Sequence, residues 1–467
     1  MAMTDRPVGD APLGYTPTRL REARALVFIA APLAAAYLSE HAMVITDRII
    51  VGRLGSVELA AVGLAGDLMF EIALISMAVV AIVGVLVSRC IGEGENHRIR
   101  PQVRQGLWVA IMIGLPTTAF CYFLPEMLSF TSQDPEVLSI AKTYLTYAIW
   151  SILPYLWFTV FRQFLAALER LRSVLVIAAS TVFLNALLTY SLVFGEFGMP
   201  EMGVAGAGLA TAIISFFMAF ALSVFVVTAP GLREYSLFTN IHKIDWSVIS
   251  EIFKLGIPVG IIAGLESGLF AVIAILVGTF GAIALAANLA VTSSVAVVYI
   301  IVFSVGEAAA LRVSYHMGRQ APMSARQSGF VAHIIGAFLM VIGATAFLLF
   351  PKQLASIYVD INDPENAPMV ELATTLFAIA AAFQLSDGVQ SISTRALRGL
   401  KDTYVPMWIA AIGYWGLGIG CGYLFAFELG YGSPGLWWGL TIGLTFAAIA
   451  LTWRFHVLSS RLVANAR

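Results

Sequence analysis

The chain has 467 residues, of which 59% are hydrophobic and 12% are charged, and its formal net charge at pH 7 is −1. With a mean hydropathy of +0.87, this composition excludes an ordinary soluble globular protein and indicates a polytopic membrane protein. No stretch resembles a basic nucleic-acid-binding face, so we expect no nucleic-acid partner. The three cysteines, Cys90, Cys121 and Cys421, lack metal or disulfide spacing and are expected to be small buried apolar residues.

Residues 1–22 are polar and contain proline and glycine, which predicts a cytoplasmic tail. No small-residue cleavage site follows a short apolar core, so no removable signal peptide is expected. Twelve continuously apolar segments come next, each long enough for a membrane-spanning helix, and they do not alternate as strands would. The predicted helices cover roughly residues 24–48, 58–87, 106–125, 140–165, 173–195, 203–229, 249–277, 281–311, 328–350, 368–394, 404–428 and 434–456.

The distribution of lysine and arginine predicts the orientation of these helices. With twelve helices, 22 basic residues fall in the tails and on one side, 4 fall on the other side, and Arg162 lies inside a helix. The side rich in basic residues is expected to be cytoplasmic, with both termini on it and the helices in a cell (inner) membrane. The 22 run from Arg6 in the first tail to Arg467 at the end of the chain, and they include Arg395 and Arg398.

The two halves of the chain carry an internal repeat. A shift of 226 residues places Pro258 on Pro32 and Glu266 on Glu40, together with a matched pair of glycines. Six helices per half, starting on the same side, predict a parallel repeat related by an axis along the membrane normal. The predicted parts are a tail at 1–22, a first lobe at 23–229, a cytoplasmic linker at 230–248, a second lobe at 249–458 and a tail at 459–467.

Acidic residues inside the apolar segments are the main candidates for function, because a carboxylate near mid-bilayer costs about 2.5–3.5 kcal/mol on insertion scales. Glu266 and Asp387 lie in the seventh and tenth predicted helices, and they predict a cation or proton site. Glu40 and Asp47 are seven residues apart in the first helix and share a face. Asp47 also lies next to Arg48, so a surface ion pair is the alternative for this residue.

Other charged residues within the helices allow both a structural and a functional interpretation. Asp67 and Glu71 are four residues apart in the second helix and share a face, and Asp67 could equally lie at a helix end. For Glu307 in the eighth helix, an ion pair with a neighbour is expected. Arg162 in the fourth helix is expected to extend toward the interface or to pair with an acid across the cavity.

Several motifs carry a resemblance to a known family. The sequence TDRIIVGRLG contains Asp47, LGIPVGIIAGLESGLF contains Glu266, and SDGVQSISTRALRGLKDT contains Asp387. In addition, FLNALLTY places Asn185, and ALAANLA places Asn288, at or near polar positions of that family. Over about residues 22–460 the chain resembles the multidrug and toxic compound extrusion (MATE) transporters, and within them the NorM-like branch.

The resemblance implies two six-helix lobes facing a cavity and the export of cationic or amphipathic small molecules in exchange for Na⁺ or H⁺. It implies that Glu266, Asp387 and Asp47 couple transport to the cation, with Glu266 and Asp387 as the Na⁺ ligands if the ion is sodium. Glu40 stands where NorM-like relatives often carry glutamine and adds an acid to the first lobe. The predicted substrate-binding residues are Asn185, Asn288, Asp67 and Glu71.

The sequence contains no nucleophile–base constellation, phosphate-cradling loop or metal-ligand cluster, so we expect neither an enzyme nor a cofactor. Membrane lipid is the expected surrounding, and a monomer is the expected state. The alternative function is an exporter or flippase of a lipid-linked or metabolite substrate on the same two-lobe fold. A membrane enzyme and a channel are weaker alternatives. The intramembrane charges are mostly acidic, which favours cations as substrates.

Overall fold

The fold is all-helical in the part of the chain that the computed structural model describes, which comprises residues 18–129, 134–361 and 363–466. Twelve helices in these ranges are long and apolar enough to cross a membrane. The predicted class and helix number are therefore confirmed. The basic residues Arg6 and Arg467 lie outside the described residues, as does most of the predicted tail at 1–22.

The twelve helices are named in chain order. They are α1 (Arg19–Val51), α2 (Ser56–Glu93), α3 (Asn96–Tyr122), α4 (Pro135–Ala167), α5 (Arg172–Phe194), α6 (Val204–Thr228), α7 (Trp246–Gly278), α8 (Ala282–Gly318), α9 (Pro322–Leu349), α10 (Pro364–Gly399), α11 (Tyr404–Glu428) and α12 (Gly432–Asn465).

Local sequence sets where several of these helices begin and where they are irregular. The side chain of Asp134 accepts a hydrogen bond from the Glu136 amide at 2.9 Å and so caps α4. Asp245 accepts from the Ser247 hydroxyl and amide and caps α7, and the hydroxyl hydrogen bond lowers the pKa of Asp245. Most of α11 is π-helical, over Ala411–Ile419 and Leu424–Glu428. Such segments are rare and occur often near functional sites.

The chain divides into two compact units. Among the described residues, the first-lobe unit comprises those in Ala35–Cys90 and Glu95–Gly260. The second-lobe unit comprises those up to Ala34, those in Ile91–Gly94 and those from Ile261 onward. Helices α1 and α7 therefore each contribute to both units. In each of them the change of unit comes two residues after a proline, Pro32 or Pro258, where the helix lacks one backbone hydrogen bond.

The first-lobe unit contains the connection between the halves, and side chains of α3 bind that connection. Trp108 donates to the carbonyl of Ile241 at 2.7 Å, and Gln105 donates to the carbonyl of Lys243 at 3.0 Å. Because these hydrogen bonds satisfy backbone carbonyls, they give the predicted linker at 230–248 a defined path. Elsewhere in the unit, α2 packs on α4, and α6 packs on both α4 and α5.

The second-lobe unit packs around α10, which contacts α8, α9 and α12. Its apolar core contains large side chains at the centre of these contacts, including Phe377, Phe383 and Trp437, all fully buried. The rings of Phe383 and Trp437 meet edge to face with their centroids 5.4 Å apart. This core fixes the helix faces on which the polar residues of the unit lie.

Helices α11 and α12 approach closely through glycines. A Cβ atom on Gly439 would lie 2.2 Å from the backbone of Gly422, and one on Gly443 would lie 2.4 Å from the carbonyl oxygen of Gly413. Gly435, Gly439 and Gly443 are spaced four residues apart and form one stripe on α12. In a membrane, such small residues allow the backbones to pack without a hydrophobic driving force.

We expect Gly439→Ala to lower the thermal stability of the purified protein, because the added methyl group overpacks this contact at a cost of about 1–3 kcal/mol. Gly416→Ala in α11 is the control, since a Cβ there meets no atom within 4 Å. The measurement is the melting temperature in detergent by fluorescence-detected size exclusion. Equal melting temperatures for the two variants would contradict the role of the stripe.

Candidate functional site

The second-lobe unit brings together the acids predicted on α7 and α10. The hydroxyl of Tyr299 on α8 donates to Oε1 of Glu266 at 2.7 Å. Asp387 is 3% exposed, and its Oδ1 atom is buried without a hydrogen-bond partner in the described part of the chain. The negative charge of Glu266 acts on Asp387. Two mutually repelling carboxylates, one of them with an unsatisfied oxygen, make a site for a positive charge.

A buried ion cluster lies beside these acids. Glu307 on α8 is 3% exposed and accepts from Arg395 at 3.1 Å and from Arg398 at 2.7 Å. The ion pair expected for Glu307 is therefore present, and its partners lie on α10. Arg395 also acts electrostatically on Glu266 and Asp387. Glu307, Glu266 and Asp387 together with the two arginines have one net negative charge when all five groups are ionised.

The π-helical part of α11 contributes a further polar group to this region. Tyr414 is 1% exposed, and its hydroxyl accepts a hydrogen bond from the Gln390 amide of α10. The charges of Glu266 and Asp387 act on Tyr414. The irregular helix thus places a buried hydroxyl within the electrostatic reach of both acids.

In the first-lobe unit, Asp47 is bound by α5. Oδ1 of Asp47 accepts from the Asn185 amide at 2.7 Å and from the Thr189 hydroxyl at 2.8 Å. Asn185 and Thr189 are one helical turn apart and are both buried. The predicted substrate ligand Asn185 therefore binds the predicted coupling acid.

The ion pair considered for Asp47 and Arg48 is formed by a different acid. Arg48 donates to Asp67 of α2, and both side chains are largely exposed. Glu71, one turn further along α2, is also exposed. The structure thus separates the half-buried Asp47, with its buried partners on α5, from the exposed acids Asp67 and Glu71.

Glu40 forms a buried salt bridge with Arg162 of α4. Nη1 of Arg162 lies 2.7 Å from Oε1 of Glu40, and the side chains of Arg162 and Glu40 are 2% and 11% exposed respectively. The guanidinium lies 4.5 Å from the ring centroid of Tyr37 and 5.2 Å from that of Phe158. The Tyr155 hydroxyl donates to the same carboxylate. The charge of Glu40 is therefore balanced inside its own unit.

Two further polar residues of the second-lobe unit have defined partners. Asn288 is 3% exposed, and its Oδ1 accepts from the indole nitrogen of Trp437 at 3.0 Å. Glu22 is 0% exposed and accepts two hydrogen bonds from Arg312, at 2.9 and 2.8 Å, and one from Ser328 at 2.6 Å. Glu22 belongs to α1, although its sequence context predicts the end of the polar tail.

Several residues that complete these sites are not evident from the sequence. Thr189 has a detectable signal, since it follows Asn185 by four residues on one face of α5. Tyr299 and Tyr155 have none, because a tyrosine in an apolar helix is common. For Arg395 and Arg398, the position near a helix end predicts a cytoplasmic connection, whereas both bind a buried acid.

The resemblance implies Na⁺ ligands only at Glu266 and Asp387, and only if the coupling ion is sodium. No group of three or more His, Cys, Asp or Glu residues that would hold a metal ion occurs in residues 18–129, 134–361 and 363–466. Any cation bound at Glu266 and Asp387 would therefore meet two carboxylates rather than a full set of charged ligands.

Comparison with known proteins identifies the family of the chain. The MatE family matches residues 32–191 and 258–424, and the two matches begin 226 residues apart, at the offset predicted for the internal repeat. The chain is 36% identical to the "Probable multidrug resistance protein NorM" of Rhizobium meliloti (strain 1021), over 94% of each chain. It is 34% identical to the "Multidrug resistance protein NorM" of Burkholderia vietnamiensis, over 97% of each chain.

The fold matches solved structures as well. A mutant of the Vibrio cholerae MATE transporter VcmN superposes with a TM-score of 0.85 at 17% identity, covering 94% of this chain and 97% of that one. The twelve helices and the repeat define a multi-pass membrane protein with the MATE transporter fold. The chain belongs to the MatE family, and the predicted resemblance to its NorM-like branch is confirmed.

The buried salt bridge between Glu40 and Arg162 gives a prediction for stability. We expect Glu40→Gln to destabilise the protein by about 3–5 kcal/mol, because it leaves the buried guanidinium unpaired. We expect the double variant E40Q/R162Q to recover much of this loss, because both charges are then absent. Melting temperatures of the purified variants measure the effect.

The exposed pair Glu126–Lys142 in the same unit is the control, with side chains 47% and 60% exposed. Glu126→Gln is expected to cost at most about 1 kcal/mol. A single variant E40Q as stable as E126Q would show that Glu40 does not carry a buried charge.

Proposed function

We propose that the protein is a secondary active antiporter that exports organic cations and drugs in exchange for Na⁺ or H⁺. The observation that carries the proposal is the state of Asp387, which is buried and has a carboxylate oxygen without a hydrogen-bond partner in the described chain. A carboxylate in such a place needs a proton or another cation. The negative charge of Glu266 acts on it, so one bound cation favours the ionised state of both residues.

The drug and the coupling ion compete for Glu266 and Asp387 in this proposal. Binding of H⁺ or Na⁺ neutralises the acids, releases the organic cation to the outside and permits return to the inward state. If the ion is sodium, Glu266 and Asp387 supply oxygen ligands of the kind that hard cations prefer. An ion that enters down 100 mV supplies about 2.3 kcal/mol per charge. This coupling needs no resident cofactor.

The first lobe contributes Asp47 as a further coupling acid. Asn185 and Thr189 hold one of its oxygens by hydrogen bonds, which orient the carboxylate without cancelling its charge. Glu40 enters the proposal differently, since a cation must compete with Arg162 to reach it. The proposed substrate contacts are Asn185, Asn288, Asp67 and Glu71.

The NorM relatives support export of drugs as the direction and substrate class, because they are called multidrug resistance proteins. We place the protein in the cell (inner) membrane as a monomer with both termini in the cytoplasm, on the distribution of basic residues in the sequence. The buried arginines Arg162, Arg395 and Arg398 are paired with acids. Their charges are therefore balanced, which favours a cationic substrate over an anionic one.

We expect Glu266→Gln and Asp387→Asn each to reduce ion-driven efflux of ethidium from cells by at least about tenfold, because removing a group that acts through charge costs about 1.4 kcal/mol or more. Asp47→Asn is expected to reduce efflux as well. The matched control is Glu371→Gln, which removes an exposed acid from the same helix as Asp387.

Wild-type efflux by both E266Q and D387N would overturn the assignment of the coupling acids. Proteoliposomes with a sodium gradient or a proton gradient, imposed separately, identify the exchanged ion. Efflux that is indifferent to both gradients would overturn antiport itself.

A further inference from the structure

The repeat-related glutamates of the two units have similar partners. Tyr155 donates to Glu40 in the first-lobe unit, and Tyr299 donates to Glu266 in the second-lobe unit. Each unit also contains an arginine near its glutamate, Arg162 in one and Arg395 in the other, with side chains that are 2% and 12% exposed. The two sites therefore contain the same three residue types: a glutamate, a tyrosine and an arginine.

The two arginines are bound differently. Arg162 lies directly on Glu40 at 2.7 Å, so this glutamate carries a cation that belongs to the protein. Arg395 binds Glu307 through Nε at 3.1 Å and binds the carbonyl and hydroxyl oxygens of Ser391 through Nη1 at 3.0 and 2.6 Å. Within the described ranges, Glu266 forms no direct ion pair like the one between Glu40 and Arg162.

Packing fixes Arg395 in this position. Its guanidinium carbon lies 3.9 Å from the ring centroid of Phe303. Its aliphatic part passes Gly306, where a Cβ atom would lie 2.5 Å from Cδ of the arginine. A glycine at this position therefore gives the arginine room beside Glu307.

Arg395 is nevertheless close to the cation site. It interacts with the Tyr299 hydroxyl, which donates to Glu266, and its charge acts on both Glu266 and Asp387. An arginine released from Glu307 would be attracted to these two carboxylates, on which its charge already acts. The first-lobe unit provides an example of such occupancy, since there the arginine binds its glutamate directly.

We propose that Glu307 is a positioning residue of the second-lobe site, which holds Arg395 away from Glu266 and Asp387 so that these acids remain available to an exchangeable cation. The inference rests on the proposed function, in which Glu266 and Asp387 bind that cation. Glu307 acts through Arg395 and touches no substrate. Arg398 is the second counter-charge of Glu307, and it keeps that acid neutralised when Arg395 is removed.

The two partners of the Glu307–Arg395 salt bridge should therefore affect cation binding in opposite directions. We expect Glu307→Gln to weaken equilibrium binding of tetraphenylphosphonium to the purified protein by about tenfold, because Arg395 then competes for the acids. We expect Arg395→Gln to bind this lipophilic cation at least as tightly as the wild type. The double variant E307Q/R395Q is expected to regain most of the affinity lost in E307Q.

Arg398→Gln is the matched control, since it removes the other partner of Glu307 and is expected to leave the affinity unchanged. A salt bridge with only a structural role would instead weaken binding in both E307Q and R395Q. That result would overturn the inference. If E307Q failed to fold, weaker binding by R395Q alone would also overturn it. Wild-type binding by E266Q and D387N would show that the proposed site itself is wrong, which separates the two failures.

Discussion

The balance of charge inside the membrane is the constraint on which the rest of this structure depends. An ionised group is expensive in hydrocarbon unless an opposite charge or a hydrogen-bond partner meets it. The structure meets this condition for Glu22, Glu40 and Glu307 with buried arginines. It does not meet it for Asp387, whose Oδ1 atom lacks a partner among the described residues. Function is expected at the place where the balance is incomplete.

The internal repeat shows how one ancestral arrangement can serve two purposes. Glu40 and Glu266 occupy equivalent positions, and each accepts a hydrogen bond from a tyrosine. The difference lies in what binds the arginine. In one unit the arginine binds the glutamate itself, and in the other it binds a third acid, Glu307. The cation that balances a glutamate can thus be a side chain of the protein in one lobe and, in the proposed mechanism, an exchangeable ion in the other. This difference requires no change of fold.

The sequence was sufficient to predict the helices, because twelve continuous apolar runs admit few other structures. Of the acids that it predicted inside the helices, Glu307 and Asp387 are buried, whereas Asp67 and Glu71 are exposed. It did not predict their partners, since a salt bridge such as Glu40–Arg162 joins residues 122 positions apart. The partner of Arg395 was not predictable either, because a long side chain near a helix end can extend to water or fold back on an acid. Packing beside Gly306 and Phe303, together with the hydrogen bonds to Glu307 and Ser391, selects the second direction.

This division of roles bears on how many ions are moved per substrate. In the proposed antiport, an acid with its own arginine contributes no net charge to the exchange, whereas an acid without one takes up a cation each time the substrate leaves. Glu40 adds a carboxylate to the first lobe, but Arg162 accompanies it, so the pair adds no exchangeable charge. In the proposed mechanism, the number of exchangeable cations is then set by Asp47, Glu266 and Asp387, and a simple count of intramembrane acids overstates it. The ratio of ions to substrate therefore depends on the buried arginines as well as on the acids.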